Sequence, residues 1–264
     1  MNYTVLGSGG FIGSRLVQRL RDSGKEVYAP NRGDEEIFDK DLGFVVYAIG
    51  LTADFRQRPY DTAEAHICYL SKILQKAQFS SLTYLSSTRV YRGAETGQET
   101  ETLKVIPTAD GLYNLTKLTG EALCLQSGCG KVARLSNIVG DGASESFVSE
   151  LISEAETGSI KLRSAVTSAK DYLLVDDAIS ALGAIVSSGE ARIYNVASGK
   201  NISTAEILDS LSMRFKFKVD IAEPDTEFTF PVIDVMNIRK LLTWEPQLVT
   251  TWIKETQLIN RSIH

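Results

Sequence analysis

Histidine and cysteine are scarce in this chain of 264 residues, which holds two of the first and three of the second. The cysteines, Cys68, Cys124 and Cys129, are odd in number and show no Cys-x-x-Cys spacing, so a disulfide framework is not expected. With only His66 and His264 to add, no metal cluster is expected either; the thiols are read as packing groups and the compartment as reducing and cytoplasmic. Long apolar runs are also missing, since the stretch 44–51 is far too short to span a bilayer. No lysine- or arginine-rich run occurs, and a net charge of −5 offers no basic field for nucleic acid. Repeats and low-complexity segments are absent, and the N-terminus runs straight into a strand pattern, so no leader peptide is expected. What remains is ordinary for a globular protein, 43% hydrophobic and 23% charged, and long enough to bury a substantial core.

Short apolar strands alternate with helical periods. Strands are predicted over Tyr3–Leu6, Glu26–Ala29, Phe44–Ile49, Leu82–Ser86, Val132–Leu135 and Ile193–Val196. The run at 44–49 is apolar throughout, as a parallel strand covered on both faces requires. Helices are predicted over Phe11–Ser23, Thr62–Ala77 and Tyr113–Gln126. The fold class is therefore α/β, a doubly wound parallel sheet. Beyond residue 137 helical patterns fall at 147–157, 176–187, 237–242 and from a Ser203 cap to about 214, with strand-like runs at 160–162 and 215–221. Because 193–196 returns to the sheet, the larger domain is assigned residues 1–137 plus about 171–197. A smaller C-terminal lobe is then woven from about 138–170 and 198–264.

Two motifs carry chemistry. Gly7-Ser-Gly-Gly10-Phe-Ile-Gly13 is a glycine turn between a strand and a helix, where side chains would keep the backbone away from a pyrophosphate and the helix start supplies partial positive charge. Tyr113-Asn-Leu-Thr-Lys117 puts a phenol and an ammonium on one helix face, so the cation can favour the phenolate and tune it for proton transfer. A dinucleotide hydride carrier with a tuned proton carrier is what carbonyl–alcohol interconversion requires.

These motifs, with Val46-Tyr-Ala-Ile-Gly50, Tyr84-Leu-Ser-Ser-Thr-Arg-Val-Tyr91, Glu121, Arg134-Leu-Ser-Asn-Ile-Val-Gly140, Asp171-Tyr-Leu-Leu-Val-Asp-Asp177, Tyr194-Asn-Val-Ala-Ser-Gly199 and Leu241-Leu-Thr-Trp-Glu-Pro246, occur in one order over nearly the whole chain. In that order the sequence resembles an extended short-chain dehydrogenase/reductase of the nucleotide-sugar epimerase, dehydratase and reductase kind. The resemblance implies a Rossmann fold with Tyr113 as acid/base, Lys117 lowering its pKa and bonding the nicotinamide ribose, and Ser87 bonding the reacting oxygen. Counting back from the Val90-Tyr91 pair selects Ser87 over Ser86 and Thr88. It further implies cofactor contacts at Gly7, Gly10, Phe11, Ile12, Gly13, Asn31, Arg32, Ala48 and Gly50, besides Tyr113 and Lys117. Substrate contacts fall at Ser87, Thr88, Arg89 and Asn137, and relatives often dimerise through helices that correspond to 62–77 and 113–126.

The departures are informative. The family's dehydratases carry Asp-Glu after the catalytic hydroxyl; Thr88-Arg89 stands here, so 4,6-dehydration is not expected. Arg89 is open to holding a substrate phosphate or to facing solvent. Lys170 replaces a common arginine, and Arg163 and Arg239 are open to phosphate contact or plain surface charge. Asp176-Asp177 reads as a helix N-terminal acid pair, and Trp244 as packing of the smaller lobe. The segment 33–43 is too short for the usual helix and strand, so the sheet is expected to lack its third strand. After the second strand stands Pro30-Asn31-Arg32-Gly33 with Asp34 only afterwards, which favours NADP over NAD, reinforced by Arg15. The expected function is an NAD(P)-dependent oxidoreductase on a nucleotide-linked sugar, foremost a ketoreductase. The alternatives are an epimerase with tightly bound NAD and a non-catalytic dinucleotide-sensing or RNA-binding protein.

Overall fold

Apolar runs of strand length build the sheet, and segments of helical period between them cover its faces. The computed structural model describes residues 2–51, 54–143, 146–223 and 225–255. Along the chain come β1 (Asn2–Leu6), α1 (Phe11–Asp22), β2 (Glu26–Tyr28), β3 (Phe44–Tyr47) and α2 (Pro59–Ala63). A π-helical turn, Glu64–Cys68, joins α2 to α3 (Tyr69–Lys76); then follow β4 (Ser81–Ser87), α4 (Leu112–Gln126), β5 (Gly130–Leu135) and β6 (Asn137–Val139). The rest of the chain forms α5 (Phe147–Thr157), β7 (Ser159–Leu162), β8 (Ala169–Leu174), α6 (Val175–Ser188) and β9 (Ile193–Val196). It ends in β10 (Asn201–Ser203), α7 (Thr204–Ser212), β11 (Lys218–Ile221), α8 (Met236–Leu241) and α9 (Val249–Glu255).

Six strands in the order β2-β1-β3-β4-β5-β9 form a wholly parallel sheet. Alternation along each strand sends Val5, Val46, Leu85 and Ala133 to one face, against Leu16 and Leu20 of α1 and Ile179, Leu182 and Ile185 of α6. Leu6, Val45, Tyr47 and Tyr84 face the other way, onto Leu70 and Ile73 of α3 and Cys124 of α4. Leu16, Val46, Leu82 and Ile73 are wholly buried, and each such side chain contributes about 1.5–3 kcal/mol through the water it sheds. Helices on both faces make this a Rossmann-like α/β fold.

Residues 29–43 form no strand, only a 3-10 turn at Glu35–Phe38 and an isolated bridge from Asp41 to Gln78. With no third strand beside it, β2 is the edge of the sheet. Besides this sheet stand the β10-β8-β6 sheet and the β11-β7 pair. Val148, Leu151, Ile160, Ile207, Leu211 and Ile253 form a separate buried cluster. Ser203 caps α7 and forms a reciprocal box with Glu206.

Several elements differ from expectation. The strands β6, β8 and β10 are short or open on polar residues, which hid their period. The run at 215–221 becomes a strand only at Lys218, because the Phe215 N–H still bonds Leu211 at the end of α7. Trp244 does not pack in the smaller lobe: it joins the larger cluster with Ile233, Val235 and Ile238, and its Nε1 donates to the Ala197 carbonyl at 3.0 Å. Two of the three thiols are not packing groups, since Cys68 and Cys129 are exposed and only Cys124 is buried. His264 lies outside the described residues.

Candidate active site

The glycine turn brings three backbone segments together. Gly10 donates to the Gly7 carbonyl at 3.0 Å. Gly7 has φ +89°, and a Cβ there would stand 2.8 Å from the Ala48 carbonyl carbon. One on Gly13 would meet the Gly7 oxygen at 2.2 Å, a separation real Cβ atoms do not adopt. The turn, the start of α1 and the end of β3 therefore close on one another only without side chains. What they leave is a cradle of helix N-terminal N–H groups, which fits the pyrophosphate of a dinucleotide.

That cradle opens into a cavity of about 850 Å³, within the range of small-molecule sites. Its wall includes Gly10, Phe11, Ile12, Gly13, Ala48 and Gly50 on one side and Ser87, Thr88, Arg89, Tyr113, Lys117 and Asn137 on the other. Gly7 stands behind the wall, in the turn. Asn31 and Arg32 are exposed beyond it, in the loop that Ser8 ties to the glycine turn through the Pro30 carbonyl at 3.3 Å. Asp34 is occupied locally: it caps the 3-10 turn through the Glu36 N–H at 3.0 Å and accepts from Tyr28 at 2.8 Å. Arg15 turns the other way, onto the Phe11 ring and the Asp141 carbonyl. Arg163 and Arg239 are exposed away from the cavity, and Asp176 and Asp177 lie in the first turn of α6.

Ser86 and Ser87, at the end of β4, have separate partners. Ser86 is buried and donates to Glu121 at 2.5 Å. Ser87 is partly exposed and accepts from the Arg89 N–H at 3.2 Å, opening the short turn Thr88–Tyr91. Beneath them Arg134 pairs with Glu121 at 2.7 Å and donates to Tyr91 at 2.7 Å, and Tyr91 donates to Asn195 at 2.8 Å. This buried network ties β4, α4, β5 and β9 under the cavity floor.

Tyr113 and Lys117, one turn apart on α4, are 4% and 5% exposed. Lys117 donates to the Leu85 carbonyl at 2.9 Å, and its ammonium lies 5.9 Å from the Tyr113 ring centre. Burial pushes the lysine down to about 7, opposed by the Glu121 charge. The unfolded lysine stays protonated to about 10.5, so between these values unfolding takes up a proton. Stability relative to Lys117→Met is therefore expected to rise as pH climbs from about 7 towards 10.5, and to be least below 7. Denaturant midpoints of both proteins across that range check the sign. A wild-type stability that stays flat or falls relative to the variant across that range would show that burial does not lower the lysine's pKa.

The sequence offers His66 only as one of two histidines, too few for a metal cluster. The π-helical turn brings it wholly inside, where Nδ1 meets Thr116 Oγ1 at 2.9 Å and the ring stands edge-on to Tyr113 at 5.5 Å. Such turns recur at functional sites. Burial first, then the Lys117 charge, pushes it down to about 3, so it stays neutral and leaves Lys117 as the cation beside Tyr113. A Cβ on Gly50 would come 3.1 Å from His66 Nε2 and 3.3 Å from Lys117 Nζ, which fits the glycine there. The spacing His66, Leu70, Ile73 on one helical face is the sequence signal that marks this histidine as buried.

Residues 3–197 match the family model described as the NAD dependent epimerase/dehydratase family. GDP-6-deoxy-D-mannose reductase of Pseudomonas aeruginosa is 32% identical over 177 residues, 60% of this chain, and the match spans only 54% of that reductase. Among solved structures, MoeE5 in complex with UDP-glucuronic acid and NAD superposes with a TM-score of 0.80 at 22% identity, over 96% of both chains. RMD from Pseudomonas aeruginosa complexed with NADPH gives 0.72 at 23%, again over 96% of each chain. UDP-glucuronic acid 4-epimerase from Bacillus cereus gives 0.80 at 18%, over 96% of this chain and 97% of that one.

Proposed function

Because this chain belongs to the NAD dependent epimerase/dehydratase family, we propose that it is an NADP-preferring ketoreductase of a nucleotide-linked sugar. The observation that carries the reading is the meeting of Ser87, Tyr113 and Lys117 with the glycine cradle on one cavity. Gly7, Gly10 and Gly13 hold the cofactor's diphosphate, Ala48 and Gly50 line its path, and Asn31 and Arg32 meet the adenosine end. Bound there, the dinucleotide supplies hydride to a carbonyl carbon. Ser87 steadies the carbonyl oxygen as charge grows on it, and Tyr113 delivers a proton to that oxygen. Lys117 supports the phenolate left behind, and its bond to the Leu85 carbonyl fixes it on the correct side of α4. Thr88, Arg89 and Asn137 take the substrate; Asn137 is held by its amide donating to the Asp171 carbonyl at 2.8 Å.

The preference for NADP rests on Arg32 standing free of Asp34, whose carboxylate is engaged by Tyr28 and Glu36. Titration of the nucleotide-free protein is expected to show NADPH binding about tenfold or more tighter than NADH, with most of that margin lost in Arg32→Ala. Stoichiometric NAD carried through purification would instead favour an epimerase, whose cycle never releases its carrier. Binding of neither nucleotide would overturn the cradle's role, and nucleotide binding without hydride transfer to any carbonyl sugar would point to a sensor.

A further inference from the structure

Three of the cations that line the cavity rest on rings instead of carboxylates. The half-buried Arg89 guanidinium lies 4.9 Å from the Phe55 ring centre and 5.4 Å from that of Tyr113. Arg92 lies 5.2 Å over Phe228, and the Lys170 ammonium 5.4 Å over Phe147. A ring face holds a cation by its quadrupole but brings no opposite charge and leaves the N–H edge of a guanidinium unspent.

The acids nearby are committed elsewhere. Asp54 pairs with Arg58 at 3.2 Å and Asp110 with Arg56 at 2.7 Å. The Asp171 carboxylate accepts from the N–H groups of Ser198, Gly199 and Lys200 at 2.9, 2.7 and 3.1 Å, and from the Ser198 hydroxyl at 2.8 Å. Among the described residues no carboxylate stands within ion-pair distance of Arg89, Arg92 or Lys170. The cations press on one another: Lys170 is held below its ordinary value by burial and then by Arg89 and Arg92. Arg89 is lowered by burial and then chiefly by Arg56.

A nucleotide diphosphate brings two negative charges to three unpaired cations, which leaves one cation over. Arg89 is the one stacked on Tyr113, the proposed proton donor, which sets its guanidinium next to the acid/base group. Its planar fork matches a carboxylate with two parallel bonds. Building on the nucleotide-sugar reading above, we infer that the sugar itself bears a carboxylate and that Arg89 is the residue that selects it.

The test is calorimetric binding to the NADP⁺-loaded protein of two matched pairs, UDP-glucuronic acid with UDP-glucose and GDP-mannuronic acid with GDP-mannose. The acid of one pair is expected to bind about tenfold or more tighter than its neutral partner, the size of one charge-assisted bond. Arg89→Met should reduce that advantage to about twofold or less, and Arg89→Lys, which keeps the charge without the fork, should fall between. NADP⁺ affinity reports whether each variant is folded, and either variant alone decides the matter. Equal binding of acid and neutral sugar by the wild type overturns the inference. So does a variant that weakens both members of a pair alike, because Arg89 then reads the diphosphate. If NADP⁺ binds and none of the four sugars does, the nucleotide-sugar reading itself fails and this inference goes with it.

Discussion

Tyr113→Phe is expected to lower turnover by about 10³-fold, the usual weight of a positioned proton donor, while the cofactor's Kd stays within about twofold. The substitution removes one oxygen and keeps the ring, which stacks obliquely on Phe55 at 5.3 Å and stands edge-on to His66. Packing is thereby held constant and chemistry alone is changed. Steady-state rates with the preferred nucleotide, set beside its affinity by fluorescence titration, separate the two effects. A Phe variant that turns over within about tenfold of the wild type would remove Tyr113 from the proton path. A variant that loses cofactor affinity in parallel would assign the residue to binding.

The second large effect is one of stability. Glu121 and Arg134 are 3% and 4% exposed, and with Ser86 and Tyr91 they form one network under the cavity. Removing one member of a buried ion pair leaves its partner charged and unsolvated, at a cost of about 3–5 kcal/mol. Against a total stability of about 5–15 kcal/mol for an ordinary domain, Glu121→Ala is expected to move the urea midpoint sharply with little change in slope. Replacing both partners together, Glu121→Leu with Arg134→Met, should recover most of the loss, since an apolar pair of similar volume is often neutral. A single variant costing under about 1 kcal/mol would mean that water reaches Arg134 and that the network is not sealed. The two predictions are independent in their readouts, because Tyr113→Phe leaves this network untouched.

Much of the main sheet was legible because its strands are short and mostly apolar, and β1, β3 and β4 precede segments with a helical period. The strand at 193–196 and the helix at 147–157 fall where periodicity put them. Of the remaining strands, β7 and β11 fall at or within the runs read at 160–162 and 215–221, whereas β6 and β10, with three residues each, offer too few positions to show an alternation. On the cavity, the glycine turn and the Tyr-Lys spacing stand out because their geometry is local, fixed by residues three or four apart. His66 and the ring-borne cations were hidden for the opposite reason. Phe55, Arg89 and Tyr113, like Arg92 and Phe228, meet only through tertiary packing, and neither the π-helical turn nor the distance between Phe147 and Lys170 has a signature along the chain. Arg89 is legible in the sequence as a substrate contact and as a departure from the Asp-Glu of the dehydratases, but its shelf of aromatic rings is visible only in the structure.

The order of the strands has a consequence for how the chain reaches this state during synthesis. The sheet closes with residues 193–196 beside β5, and the face that α1 covers is completed by α6, from residues 175–188. Until that stretch has left the ribosome, Val5, Val46, Leu85 and Ala133 lack part of the cover they have in the finished protein. A sheet built from distant segments closes slowly, and apolar faces open in the meantime invite association between nascent chains. Amounts recovered in soluble form should therefore depend on growth temperature and chaperone supply more than the finished fold's stability suggests, and truncation ahead of residue 197 should yield no folded core.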